Sequence, residues 1–288
     1  MIIRNALTVD VEDYFHVSAF SECIDRKNWD SYPLRVEKNT RRLLDLFDLH
    51  SVKATFFVLG WVAERTPGLV REIAARGHEV ACHGYSHQLV YNQSPGIFRE
   101  ETIRSKTLLE DIIQAPVTGY RAASYSITER SLWALDIIAD AGFEYDSSIF
   151  PVRHDRYGIP DASVYPHRMK TPNGSWLVEF PLSTARIFGF RLPVAGGGYF
   201  RLYPYRLTKA GLGRINGREN KPFIFYLHPW EIDQEQPRIK ASLLSRFRHY
   251  NNLGRCESRL RKLMTDFSFT TARTVLHDCG LGDADSRT

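Results

Sequence analysis

His83-Gly84-Tyr85-Ser86-His87 and the acidic run Asp10-Val11-Glu12-Asp13 supply the side-chain types that one divalent metal ion requires. Two imidazoles four residues apart fall on one side of a helical turn, within reach of a single ion. Two histidines and one carboxylate leave coordination positions for water and a substrate carbonyl, as catalytic zinc sites do. A metal so held lowers the pKa of its water and polarises the carbonyl. A second carboxylate then serves as general base, and a further group must protonate the departing nitrogen or oxygen. Asp10 suits the base. His228, in Phe225-Tyr226-Leu227-His228-Pro229-Trp230, suits the acid, and the guanidinium of Arg121 suits a partner that orients Asp10 and holds its charge. This is the equipment of a hydrolase. The plainer reading of the histidine pair, as surface or capping residues, is weakened by where the pair falls in the chain. A glycosidase built on Asp10 and Asp13 would leave the histidines without a role.

Each of these groups sits where a short apolar segment runs out. Strand-like runs cover Ala6 to Asp10, Lys53 to Val58, Glu79 to Cys82, Val117 to Arg121, Phe143 to Asp146, Leu177 to Leu182 and Pro222 to His228. Helical periodicity lies between several of them, over Val36 to Leu49, Leu69 to Arg76, a long helix opened by Ser94-Pro95, and another from Thr128 to Gly142. Such alternation predicts right-handed β-α-β units and an α/β fold, a distorted (β/α) barrel of mostly parallel strands with the chemistry at the carboxyl ends of those strands. The proline-rich stretch Pro151 to Lys221 reads as long loops and short irregular strands that shape a substrate groove, with Gly196-Gly197-Gly198 as a tight turn. Ile239 to Tyr250 and Glu257 to Phe267 read as two amphipathic helices of a C-terminal helical extension beginning at about residue 231. The expected organisation is one catalytic domain over residues 1–279 and a disordered polar tail over 280–288.

Composition excludes several classes. The 288 residues are 43% hydrophobic and 25% charged, enough for one sizeable core, and no run approaches the roughly 18 apolar residues of a membrane span. The four cysteines show no metal-type pairing and suit a reducing compartment, which together with the strand-like start predicts a cytoplasmic protein. The net charge of +5 is dispersed and carries no nucleic-acid motif.

In order along the chain, Thr8-Val9-Asp10, His83-Gly84-Tyr85-Ser86-His87, Arg121-Ala122-Ala123-Ser124, Tyr145-Asp146-Ser147-Ser148 and Leu227-His228 resemble the five motifs of the polysaccharide deacetylase superfamily, carbohydrate esterase family 4. The segments from Asp10 to His16, Pro151 to Gly158 and Gly196 to Arg201 look like the branch associated with exosortase and exopolysaccharide loci. The resemblance implies a divalent metal, commonly zinc, and removal of acetyl groups from N-acetylated sugars. By motif position Asp10 is then the base, His83 and His87 are metal ligands, Arg121 is the partner of Asp10 and His228 is the acid. It also implies that a backbone N–H after the arginine motif, at Ser124 or Tyr125, binds the oxyanion. Two departures stand out: Asp10-Val11-Glu12-Asp13 replaces the family's adjacent aspartates, and Ala123 replaces its customary proline. The metal carboxylate is therefore Glu12 or Asp13, with strand alternation favouring Glu12. Trp230 is a candidate sugar-stacking face, and Asp146 is more simply a loop-capping residue. The expected substrate is an N-acetylated glycan or its lipid-linked precursor at the inner membrane face, beside membrane-bound polysaccharide machinery. The alternatives are an amidohydrolase on a small cyclic amide or imide, and a non-catalytic glycan-binding protein.

Overall fold

The computed structural model describes residues 2–282 apart from Asp155 and Phe188. The strands are β1 (Arg4–Val11), β2 (Thr55–Val58), β3 (Glu79–Cys82), β4 (Gly119–Tyr120), β5 (Tyr145–Asp146), β6 (His167–Lys170), β7 (Trp176–Glu179), β8 (Thr184–Ile187), β9 (Phe190–Pro193), β10 (Ile224–Leu227) and β11 (Ser268–Thr270). The helices are α1 (Val36–Leu49), α2 (Gly60–Arg65), α3 (Pro67–Ala75), α4 (Pro95–Ile113), α5 (Trp133–Asp140), α6 (Gly197–Leu202), α7 (Tyr205–Gly217), α8 (Leu243–Tyr250), α9 (Leu253–Asp266) and α10 (Ala272–Asp278). The main sheet runs β10-β1-β2-β3-β4-β5-β7-β6, parallel throughout except for β6 against β7, and β11 pairs with the start of β1. None of the helices is long and apolar enough to cross a membrane among the described residues.

Alternation along the strands sorts the core into two layers. In β1, Leu7, Val9 and Val11 join the large cluster under the helices, whereas Ala6 joins a second cluster inside the barrel with Phe57, Ala81, Tyr145, Ile224 and Tyr226. Thr8 and Asp10 continue the inward row, which is why a buried aspartate can exist at the end of this strand at all. The ladder is open between its two ends, β10 and β6, and on the β10 side Gly196 pairs with Tyr226 in an isolated parallel bridge. Gly196 is required there: at φ 129° any Cβ would sit 1.9 Å from the Tyr226 carbonyl oxygen. The triple glycine thus lets the chain pack directly against β10 before α6 begins.

Two expectations need correction. The stretch from Pro151 to Lys221 contains the thirteen-residue helix α7 besides short strands, because Pro204 stands at the helix N-cap, where a missing N–H costs nothing. The first C-terminal helix is shorter than its pattern suggested, starting at Leu243 with Ser242 as N-cap, while the second begins at Leu253 and ends at Asp266. Of the expected tail, Gly280–Gly282 is ordered by a Leu281 N–H to Leu276 carbonyl bond at 2.9 Å, and residues 283–288 lie outside the described residues.

Candidate active site

A cavity of about 450 Å³ opens at the carboxyl ends of the parallel strands, lined among others by Asp10, Glu12, His83, His87, Ser124, Tyr125, His228 and Trp230. The barrel brings together from four separate places the residues singled out by type and spacing.

Arg121, fully buried after β4, donates to Asp10 Oδ1 at 2.6 Å and to Thr8 Oγ1 at 2.8 Å, and its Nε reaches the Ser147 carbonyl at 3.2 Å. The Tyr125 hydroxyl donates to the other oxygen of Asp10 at 3.3 Å. With a guanidinium on one oxygen and a phenol on the other, the carboxylate is fixed in rotation.

Glu12, His83 and His87 present ligand atoms that all lie within 4.8 Å of one another, each residue buried. His83 Nδ1 meets the Arg121 carbonyl at 2.8 Å, which fixes the tautomer with Nε2 as a lone pair. That Nε2 and Glu12 Oε2 are buried without a hydrogen-bond partner, although Glu12 Oε2 lies 2.7 Å from His87 Nε2. Buried polar atoms left unmade are costly, and two of them converging with a second imidazole fit a divalent cation. Burial pushes the His83 pKa down to about 4, keeping it neutral as a ligand must be. For Glu12, burial opposes ionisation, but His87 and His228 outweigh it and hold the carboxyl well below the usual carboxylate range.

The histidine pair is not on a helix. Residues 83–87 form an irregular bend with Gly84 at φ 70° and His87 at φ 51°, held by Ser86 to Glu101 at 2.8 Å and Tyr85 to Glu64 at 2.7 Å. The bend brings the two rings to a centroid separation of 5.5 Å.

Asp13 is turned away from this group. One of its oxygens accepts the Tyr14 N–H at 2.9 Å, and the other accepts the N–H groups of Arg35 and Val36 at 2.6 and 2.8 Å, at the start of α1. Its expected place among the metal ligands is therefore replaced by a helix-capping role, since both oxygens are taken by backbone donors. Burial pushes Asp13 up to about 6 even so.

His228 follows β10 and points its Nε2 at the acidic side, 3.9 Å from Asp10 Oδ2 and 3.5 Å from Glu12 Oε1. Behind it, Nδ1 lies 2.7 Å from Glu231 Oε1, and Arg201 donates to Glu231 Oε2 at 2.6 Å. Burial disfavours the charged imidazole, but Glu12, Glu231 and Asp10 together outweigh it and push the pKa up to about 9. Glu231 itself is held down to about 2, burial being overcome by Arg201 and His228. Glu231 and Arg201 were not read from the sequence. The available signal was the spacing of Glu231 three residues after His228 in a turn opened by Pro229.

Two substrate-binding expectations change. Trp230 is only 5% exposed, donates from Nε1 to Glu12 Oε1 at 3.1 Å, and stacks on His228 and His249. It orients the carboxylate instead of offering an open stacking face. The Tyr125 N–H donates to the Ala122 carbonyl at 3.1 Å, so its backbone donor is committed; Ser124, at φ 52°, lines the cavity with Oγ 2.6 Å from Ser18 Oγ. Asp146 caps its loop as expected, accepting the Ser148 hydroxyl at 2.6 Å.

The parallel strands thus place a buried two-histidine, one-carboxylate group that could hold a metal ion beside a separately held aspartate. Residues 28–145 match the polysaccharide deacetylase family, and residues 147–277 match a domain of unknown function, DUF3473. Over 98 residues, 34% of this chain, it is 34% identical to a peptidoglycan-N-acetylglucosamine deacetylase of Bacillus cereus, and over 100 residues, 35% of the chain, 30% identical to a chitooligosaccharide deacetylase of a Bradyrhizobium species. The matched stretches amount to 36% and 43% of those relatives' own lengths. A crystal structure from Mycobacterium smegmatis assigned to the polysaccharide deacetylases has the same fold, with a TM-score of 0.64 at 19% identity, covering 99% of this chain and 93% of that one.

Proposed function

We propose that the protein is a metal-dependent carbohydrate N-deacetylase, hydrolysing the acetamide of an N-acetylated glycan or of its lipid-linked precursor. The observation that carries this is the convergence of Glu12, His83 and His87 with the Arg121-held Asp10 and the Glu231-backed His228 in one cavity. The deacetylases among its relatives support the substrate class. The segments Asp10 to His16 and Gly196 to Arg201 support a place in the exopolysaccharide-associated branch.

Glu12, His83 and His87 would hold the divalent ion, for which zinc suits a mixed nitrogen and oxygen set. When bound, such an ion polarises an acetyl carbonyl and acidifies water. Asp10 takes the proton of the attacking water, its carboxylate aimed by Arg121 and Tyr125. His228 in its protonated form gives its proton to the departing amine nitrogen, with Glu231 stabilising the imidazolium in the productive orientation. The regions 28–145 and 147–277 act as one catalytic unit in this reading.

The test is acetate release from a panel of N-acetylated glycans after chelation and after divalent metal is restored. Release that needs the metal and is lost in His83→Ala supports the proposal. Turnover confined to small cyclic amides, or glycan binding without acetate release, would overturn it.

A further inference from the structure

Helix α8 inverts the usual amphipathic arrangement. A surface helix buries its apolar stripe against the core, yet here the one buried residue is His249, while Leu243, Leu244 and Phe247 are 82%, 57% and 56% exposed. These three lie at positions i, i+1 and i+4, so they form one outward ridge. The inner side is locked: His249 stacks on Trp230 with ring centroids 4.2 Å apart, and its Nε2 lies 2.6 Å from Gln236 Oε1. Arg201 donates to the carbonyls of Arg248, His249 and Asn251 at the helix C-terminus, at 3.1, 2.8 and 2.8 Å. These contacts anchor the inner side of the helix and leave the two leucines and the phenylalanine facing outward.

The charge along this segment has one sign. Between Glu235 and Glu257 there is no acidic residue, whereas Arg238, Lys240, Arg246, Arg248 and Arg255 all fall in this span and are all exposed. The ridge is also continuous with the cavity, because Leu244, Phe247 and Arg248 line it together with the half-exposed Leu202 of α6. An apolar ridge carried on a segment whose charges are all cationic is complementary to a surface with an apolar interior under an anionic layer.

We propose that α8 docks the protein onto an anionic phospholipid bilayer, with Leu243, Leu244 and Phe247 entering the acyl boundary and the basic residues meeting the headgroups. The cavity mouth then faces the bilayer, and its substrate class is an N-acetylated sugar carried on a membrane lipid. The substrate half of this rests on the deacetylase reading; the docking half does not.

The experiment is sedimentation of the full chain with vesicles of phosphatidylcholine alone and of phosphatidylcholine mixed with phosphatidylglycerol. The chain is expected to bind the anionic vesicles, to be released by salt, and to bind the neutral ones at least tenfold less. Arg246→Glu and Leu243→Ser, both away from the cavity wall, are each expected to weaken binding about five- to tenfold. Arg71→Glu on α3 is the control and leaves binding unchanged. Equal binding of both vesicle types, no binding by the parent chain, or full binding by Leu243→Ser would overturn the docking, as would light scattering that shows the ridge closing a dimer. Acetate release from a soluble glycan without vesicle binding removes the docking and keeps the function; vesicle binding without deacetylation does the reverse.

Discussion

On the side of the cavity built from residues 4–146, Arg121 holds Asp10 at 2.6 Å; on the side built from residues 147–277, Arg201 holds Glu231 at 2.6 Å. Both are buried arginine–carboxylate pairs, and in the proposed mechanism each fixes one half of an acid–base couple. The difference lies in what the carboxylate does next. Asp10 faces the cavity itself, while Glu231 acts through His228. The region matched only to a domain of unknown function therefore adds β10 beside β1 and carries His228 and Glu231, the acid side in the proposed mechanism. Residues of both matched regions line one cavity, which a division of the chain at residue 146 would hide.

Several changes would break or sharpen that symmetry. Asp10→Asn and His228→Ala should each lower the rate of acetate release by about 10²- to 10⁴-fold while the protein keeps its metal, the scale of a lost general base or acid. Retained turnover in either, measured beside metal content, would remove that residue from the mechanism. Arg121→Met and Arg201→Met leave a buried carboxylate without its partner, and chemical denaturation should show losses of about 3–5 kcal/mol for each. A much smaller loss for Arg201→Met alone would mean that the second pair is not equivalent to the first. Glu231→Gln preserves size and should lower kcat by roughly 10- to 100-fold with KM little changed, because it disturbs the orientation of His228 and not the binding surface.

Smaller effects separate Glu12 from its neighbour. Asp13→Ala should retain the metal and cost about 1–2 kcal/mol of stability through the lost cap on α1, whereas Glu12→Gln should lose metal at unchanged fold. Metal loss in Asp13→Ala would return that residue to the coordination sphere. The smallest effect belongs to the far end of the barrel, where His78 Nδ1 accepts the Ala54 N–H at 3.1 Å. Burial and then Lys53 push its pKa from 6.5 down to about 4, so the fold holds the neutral ring. The stability it contributes is complete above about pH 6.5 and is lost as the pH falls toward 4. His78→Asn keeps an acceptor without titrating, and its Tm should decline less over that window than that of the parent chain.

Asp10, His83, His87, Arg121 and His228 were legible because each ends or follows a strand whose apolar run is visible in the sequence, and strand ends on one edge of a parallel sheet must lie together. Alternation along β1 likewise favoured Glu12 over Asp13 before any contact was known. What one dimension could not carry were contacts between distant segments. Asp13 finds the start of α1 twenty-two residues on, Arg201 reaches Glu231 across thirty, and Trp230 turns its indole to Glu12 across 218. The bend that converges His83 and His87 depends on Glu64 and Glu101 from separate helices, so the spacing showed a pair but not its geometry. The sequence by itself determined which residue types lie at the strand ends, because periodicity and termination are local. Only the tertiary structure decided which carboxylate faces the histidines, which arginine backs the acid and which leucines stay in the open, because those depend on packing among segments that no local pattern links.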